Sequence, residues 1–75
     1  MQQKIVLHIS GVPIFIRHLP SGDMAVWHPY NDAIRAVVEP ICRESGYWQP
    51  LYNNWIISKS FKEQVLESLQ KIGGF

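Results

Sequence analysis

The segment from residue 46 to residue 57 constrains the fold of this chain more than any other stretch. Two short runs of aromatic and β-branched residues lie in it, separated by a break that contains Pro50 and two asparagines. This pattern is typical of a β-hairpin. We therefore predict strands over residues 47–49 and 55–58, with the side chains of Tyr47 and Trp48 on opposite faces because side chains alternate along a strand.

Runs of β-branched and aromatic residues predict three more strands ahead of this hairpin, over residues 4–9, 14–18 and 24–28. Turn-forming residues at positions 10–13 and 20–23 separate these runs. Pro29 closes the third run because proline cannot donate to a central ladder. We expect the three strands to form an antiparallel meander.

A helix is predicted after Pro29, with Asn31 or Asp32 as its N-cap. Its apolar residues recur at helical spacing, at Ile34, Val37, Val38 and Ile41. This stripe indicates that the helix packs on the sheet. Pro40 lies inside the pattern, so we expect a kink there or a second short helix. Gly46 is available for a left-handed C-terminal cap.

A second helix is predicted near the end of the chain. Ser60 and Glu63 match the capping box, in which each side chain bonds the other residue's amide. The apolar face of this helix is expected to contain Phe61, Val65, Leu66, Leu69 and Ile72. Gly73 and Gly74 are expected to end it.

The resulting order is β-β-β-α-β-β-α. It predicts an α+β fold, in which helices cover one face of a curved antiparallel sheet. With 75 residues, the chain is expected to form a single domain over residues 1–75. Cores of this size rarely supply more than about 3–5 kcal/mol, which favours dimerisation or docking onto a partner.

Composition excludes several classes of protein. The net charge is +1, whereas domains that coat nucleic acid usually carry a clear basic excess. Cys42 is the only cysteine, so neither an intramolecular disulfide nor a cysteine-based zinc site can form. The sequence shows neither the apolar stretch of a signal peptide nor a membrane span, and we expect a cytoplasmic protein that makes no membrane contact.

The residues that usually carry catalysis are scattered. His8, His18 and His28 recur ten residues apart, but nothing in the sequence fixes a common face for metal binding. Cys42 lies in an apolar helical run, where cysteine behaves as a small hydrophobic residue. No pair of carboxylates is placed for acid–base work, and no phosphate-binding motif occurs. We expect neither an enzyme nor a cofactor.

The aromatic residues are the remaining signal. Trp27, Tyr47 and Trp55 could form a platform on which bases stack. The candidate phosphate contacts are the basic residues near the strands, Arg17, Arg35, Lys59 and Lys62. The alternative is that Trp48 and Trp55 pack against the helices as part of the core. Sequence reasoning leaves both interpretations open for each tryptophan.

A strand–helix junction, a helical stripe and a hairpin occur together in this chain, at Pro29, Tyr30, Ile34, Val37, Gly46, Trp48 and Trp55. With this combination, residues 24–69 resemble the HARP-type module, which is known from annealing helicases and has similar small counterparts in plasmid and phage DNA-processing proteins. It implies a Pur-like α+β domain that binds single-stranded or forked DNA. The family tends to carry charged residues at three positions that here hold Tyr47, Gln49 and Asn54, so the shared positions are mainly those that carry the fold.

Two functions are therefore expected from different classes. The first is a non-enzymatic accessory module for single-stranded or forked DNA. The alternative is a protein–protein module, either a homodimer or a small adaptor that inhibits a larger complex. Near-neutral charge and abundant tryptophan and tyrosine are typical of an interface hot spot and favour this alternative.

Overall fold

A computed structural model describes residues 4–73 of the chain. It has the α+β fold and the element order that the sequence predicts. The elements are β1 (Lys4–Ile9), β2 (Val12–His18), β3 (Met24–Trp27), α1 (Asp32–Arg43), β4 (Gly46–Gln49), β5 (Asn54–Ile57) and α2 (Lys62–Ile72). The predicted strands are all present, with ends that differ by at most two residues.

The five strands form one open antiparallel sheet in the order β1-β2-β3-β5-β4. The first three strands make the predicted meander, and β4 pairs with β5 as the predicted hairpin. β3 pairs with β5, so the second hairpin joins the first three strands through its later strand. As a result, β1 and β4 are the two outer strands of the sheet.

The turn between β1 and β2 is shorter than the sequence predicts. It consists of Ser10 and Gly11, which both have positive φ angles, as the tightest hairpin turns require. Val12 and Pro13 already belong to β2. Pro13 is tolerated there because β3 pairs with β2 only from Phe15 onward, so no ladder bond on that side needs its amide.

Helix α1 begins as predicted and runs through Pro40 as a single helix. The Asn31 side chain accepts a hydrogen bond from the Ile34 amide at 3.1 Å and caps the helix. Of the kink and the restart expected at Pro40, the restart does not occur, because a single helix includes Pro40. Proline removes the bond to the carbonyl of Ala36. Both residues are exposed, so water can satisfy that carbonyl.

The expectation of a left-handed cap at Gly46 is also wrong. Helix α1 ends at Glu44 with right-handed geometry, and Gly46 is the first residue of β4. A side chain at Gly46 would place its Cβ 2.0 Å from the carbonyl oxygen of Ile56. The glycine is therefore needed for close approach to β5, not for helix termination.

Helix α2 lacks the predicted capping box. Its N-cap is Phe61, which makes no side-chain cap bond, and the helix starts at Lys62. The Phe61 amide instead donates to the carbonyl of Ser58, which closes a tight turn after β5. The helix ends at Ile72 with Gly73 after it, as predicted, and Gly74 lies outside the described residues.

The core lies between the helices and one face of the sheet. The strands contribute the buried side chains of Leu7, Ile14, Ile16, Met24, Val26, Trp55 and Ile57. These pack against buried side chains of the helices, namely Ile34, Val38, Cys42, Val65 and Leu69. The predicted apolar face of α2 is therefore correct only in its centre, since Phe61 and Ile72 at its ends are exposed. Neither helix covers the second face of the sheet.

Candidate nucleic-acid interface

The uncovered side of the sheet, which we call the open face, presents two rows of side chains. Strand register places Arg17, Ala25, Ile56 and Tyr47 side by side in the first row, across β2, β3, β5 and β4. In the second row it places Phe15, Trp27, Asn54 and Gln49. These rows bring together residues that are up to 39 positions apart, as from Phe15 to Asn54.

Aromatic rings dominate the open face. The rings of Phe15 and Trp27 lie 5.1 Å apart between centroids and are tilted by 38°. Tyr47 is exposed over 58% of its surface, and Tyr52 from the β4–β5 turn is exposed over 67%. Together with Arg17 they line a groove of about 710 Å³. A groove with flat apolar walls and a cation at its side suits a planar, negatively charged ligand.

Two amide side chains lie between these rings. Asn54 is flanked by Trp27 and Gln49 in its row. Its Oδ1 atom is buried and has no hydrogen-bond partner within residues 4–73. Buried polar atoms are nearly always hydrogen-bonded, so this acceptor is an exception that calls for an explanation. A ligand donor on the open face would provide one, after a small movement of the neighbouring side chains.

Arg17 lies on the open face, and Lys59 lies near one side of it. Arg17 is exposed in the first row. Lys59 follows β5, and its amide donates to the Asp23 carboxylate at 3.0 Å, which ties it to the β2–β3 turn. Asp23 itself lines the groove. The structure therefore places Arg17 in the same groove as Trp27 and Tyr47. Lys59 does not line the groove, but its backbone is bonded to Asp23, which does.

Trp55, the third predicted stacking residue, does not lie on this face. It is only 6% exposed, and its ring meets Trp48 edge to face with centroids 5.3 Å apart. Of the two interpretations that the sequence leaves open, the structure places Trp55 in the core. Its Nε1 atom is buried without a hydrogen-bond partner among the described residues.

Arg35 and Lys62 also lie away from the open face. Arg35 projects from α1 and donates to the Glu39 carboxylate at 2.8 Å, and Arg43 contacts the same carboxylate. The hydrogen bond from Arg35 lowers the pKa of Glu39. Lys62 is half-buried at the start of α2. Neither side chain lines the groove that contains Trp27 and Tyr47.

A second cavity, the α1–β4 cleft, lies beside the open face. Its volume is about 730 Å³, and it runs between the Arg35–Glu39–Arg43 stripe of α1 and strand β4. Trp48 and His28 line it, with ring centroids 6.0 Å apart. Trp27 and Tyr47 border both cavities. The two cavities therefore meet at the end of the sheet where β3 ends.

Other candidate chemistry finds no support in this geometry. Within residues 4–73, no three histidine, cysteine or acidic side chains come together in a way that could hold a metal ion. Cys42 is fully buried, and burial raises the pKa of its thiol to about 12. Such a thiol stays protonated at neutral pH and is a poor nucleophile. No helix of the described part of the chain is long and apolar enough to cross a bilayer.

Sequence reasoning missed Phe15, Gln49, Asn54 and Tyr52 as members of this surface. Strand alternation does assign Tyr47 and Gln49 to one face of β4. Strand alternation alone does not show which residues of other strands share that face. This requires the β3–β5 pairing, which no local pattern indicates. The missing signal was therefore strand order.

No protein-family model, no curated protein and no solved structure matches this chain.

Proposed function

We propose that this protein is a non-enzymatic module that binds single-stranded or forked DNA on the open face of its sheet. The observation that carries the proposal is the Phe15–Trp27 ring pair, which shares one helix-free groove with Tyr47 and Arg17. The resemblance of residues 24–69 to HARP-type modules points to the same class of ligand.

Stacking would supply most of the binding free energy. Trp27 on β3 and Tyr47 on β4 are separated by one intervening strand, and each strand spacing is about 4.8 Å. Two neighbouring unpaired bases can therefore each meet a ring. Each such contact contributes about 1–3 kcal/mol and requires a base whose face is free, which favours single strands over duplex.

The polar groups of the protein would orient the bound DNA strand. Arg17 and Lys59 would contact phosphates along one side. Asn54 and Gln49 would face the edges of the stacked bases, where an exocyclic amino group could donate to the unpartnered Oδ1 of Asn54. The ligand would thus meet rings, cations and amides in one surface.

The small number of proposed phosphate contacts sets the expected salt dependence of binding. A single strand that contacts Z cations gives a slope of about −0.7Z in a plot of log K against log salt. With Arg17 and Lys59 as the two contacts, we expect a slope of about −1.4. A much steeper slope would point to cations outside the open face.

The test is a titration of intrinsic tryptophan fluorescence with single-stranded, forked and duplex DNA, at about 50 and 200 mM salt. We expect quenching by single-stranded and forked DNA, with weaker binding at the higher salt. The Trp27→Phe variant should lose most of the signal, whereas Trp48→Phe on the other face should keep it. A flat titration at both salt concentrations would overturn the proposal.

A protein–protein module is the second candidate function. The observation that favours it is the tip of the β4–β5 hairpin, where Leu51 and Tyr52 are exposed over 74% and 67% of their surfaces. Aromatic and aliphatic side chains at an exposed tip are typical anchors for a partner protein. Failure of every DNA titration, together with affinity capture that depends on Leu51 and Tyr52, would favour this function.

A further inference from the structure

Strand β4 is a short outer strand that carries neither a charged residue nor a proline. Exposed sheet edges normally carry charged residues, proline or a covering element. The four residues of β4 are uncharged and include no proline. The opposite outer strand β1 begins with Lys4, and α2 ends against it so closely that a Cβ on Gly73 would lie 2.4 Å from the carbonyl oxygen of His8.

Backbone geometry shows which groups of β4 point outward. The Ser58 amide donates to the Ser45 carbonyl at 3.2 Å. Hydrogen-bonded and non-bonded pairs alternate along antiparallel strands, so Tyr47 is bonded to Ile56 while the facing pairs Gly46–Ile57 and Trp48–Trp55 are not. The amide and carbonyl groups of Gly46 and Trp48 are therefore directed to the free edge.

We propose that a second copy of this chain pairs with β4 in antiparallel fashion about a two-fold axis at Tyr47. In this register, Gly46 of one copy faces Trp48 of the other, and the outward amides and carbonyls of both residues form four hydrogen bonds. Tyr47 faces Tyr47 of the second copy in a non-bonded pair, whose Cα atoms lie about 4.5 Å apart. The two sheets become one sheet of ten strands.

The side chains of β4 are self-complementary in this register. Trp48 is exposed over 39% of its surface, and it would lie across from Gly46, which has no side chain to obstruct it. On the open face, the two Tyr47 rings would lie side by side. Tyrosine and tryptophan at the centre of an interface are typical of stable protein contacts.

The charges beside β4 also suit a second copy. The α1–β4 cleft is bordered by Asp32 and Glu39 and by Arg35 and Arg43, so opposite charges balance there. A two-fold axis places a surface against itself, so a patch of one sign would repel its copy. A balanced patch does not, which favours self-pairing over a strongly charged partner.

Self-pairing would also join two open faces across the Tyr47 pair. This consequence rests on the proposed function, whereas the pairing itself does not. The pairing is therefore tested without nucleic acid. Sedimentation equilibrium from micromolar to near-millimolar concentration should show the mass rise from the 8.7 kDa of a single chain to twice that value.

Amide hydrogen exchange identifies the paired edge. The amides of Gly46 and Trp48 should become protected as protein concentration rises, whereas the amide of Tyr47 should be protected at all concentrations. Tyr47→Lys sets like charges opposite each other at the axis and should leave a folded monomer. His8→Lys on β1 is the matched control and should still dimerise.

Three results would overturn the proposal: a single-chain mass at every concentration, a dimer that persists in Tyr47→Lys, or concentration-dependent protection on β1 in place of β4. None of them bears on DNA binding by one copy, so the two proposals fail independently.

Discussion

Phe15 and Trp27 lie opposite each other on β2 and β3, with ring centroids 5.1 Å apart on the side of the sheet that the helices leave uncovered. Both rings line the open-face groove. A ring already fixed by its neighbour loses little freedom when a base stacks on it, which favours binding.

Trp27→Ala should therefore weaken binding of single-stranded DNA by about 5- to 150-fold, the equivalent of one stacked base. Fluorescence anisotropy of a labelled oligonucleotide would measure the change, with circular dichroism to verify folding. Tyr30→Ala removes a ring that is 98% exposed and lies outside the groove, so it should bind like the parent. Equal losses in both variants would contradict the assigned site.

Arg17→Ala should weaken binding of all sequences alike, because a phosphate contact carries no base information. The slope of log K against log salt should become shallower by about 0.7, the value for one lost contact to a single strand. Arg43→Ala removes a cation that contacts Glu39 on α1, and it should leave the slope unchanged. An unchanged slope in Arg17→Ala would remove Arg17 from the interface.

Asn31→Ala should lower the free energy of unfolding by about 1 kcal/mol, because it removes the side-chain cap of α1. Asn31→Asp retains a hydrogen-bond acceptor at the same position and should lower the free energy of unfolding much less. Urea denaturation would show the loss as a lower midpoint with an unchanged m-value. Equal stability of Asn31→Ala and the parent would mean that the cap adds nothing.

The burial of Cys42 should make stability fall at alkaline pH. Its pKa is about 12 in the folded protein, against an ordinary value of 9.0. The unfolded chain therefore loses the thiol proton at a lower pH than the folded protein does. The contribution of Cys42 to the free energy of unfolding is fully present below about pH 9 and is lost as pH rises toward about 12.

Urea midpoints measured across this pH range would test the effect. Cys42→Ala leaves a small cavity and should be less stable at neutral pH, but its stability should depend less on pH between about 9 and 12. The difference in slope between parent and variant isolates the thiol from lysines and tyrosines that titrate in the same range. Parallel curves would show that Cys42 is accessible to ionisation when folded.

Local patterns predicted much of this fold because the information they carry is local. Alternation along a strand, a cap at Asn31 or Asp32 and a turn that contains Ser10 and Gly11 depend on residues that are close in sequence. Where a local rule failed, tertiary contacts overrode it. Ser60 matches a capping box, yet the turn that Phe61 closes back to Ser58 moves the helix start to Lys62.

The candidate interface was less accessible to sequence reasoning. Trp27 and Trp55 are equally aromatic and both lie in short strands, so composition and spacing treat them alike. The pairing Val26–Trp55 places Trp55 on the helix side, while Trp27 faces Asn54 on the other side. A shift of one residue in this register would exchange their environments.

The sequence alone thus determined the order of the elements, which residues of each strand share a face, and the small size of the core. Steric interactions between residues that are adjacent in sequence, hydrophobic periodicity and chain length specify these features. Only the tertiary structure decided that β5 lies between β3 and β4, that Phe15, Trp27 and Tyr47 share the open face, and that Trp55 is buried. The physical reason is that pairing between distant strands is selected by the burial of the whole apolar face, a property that no short segment contains.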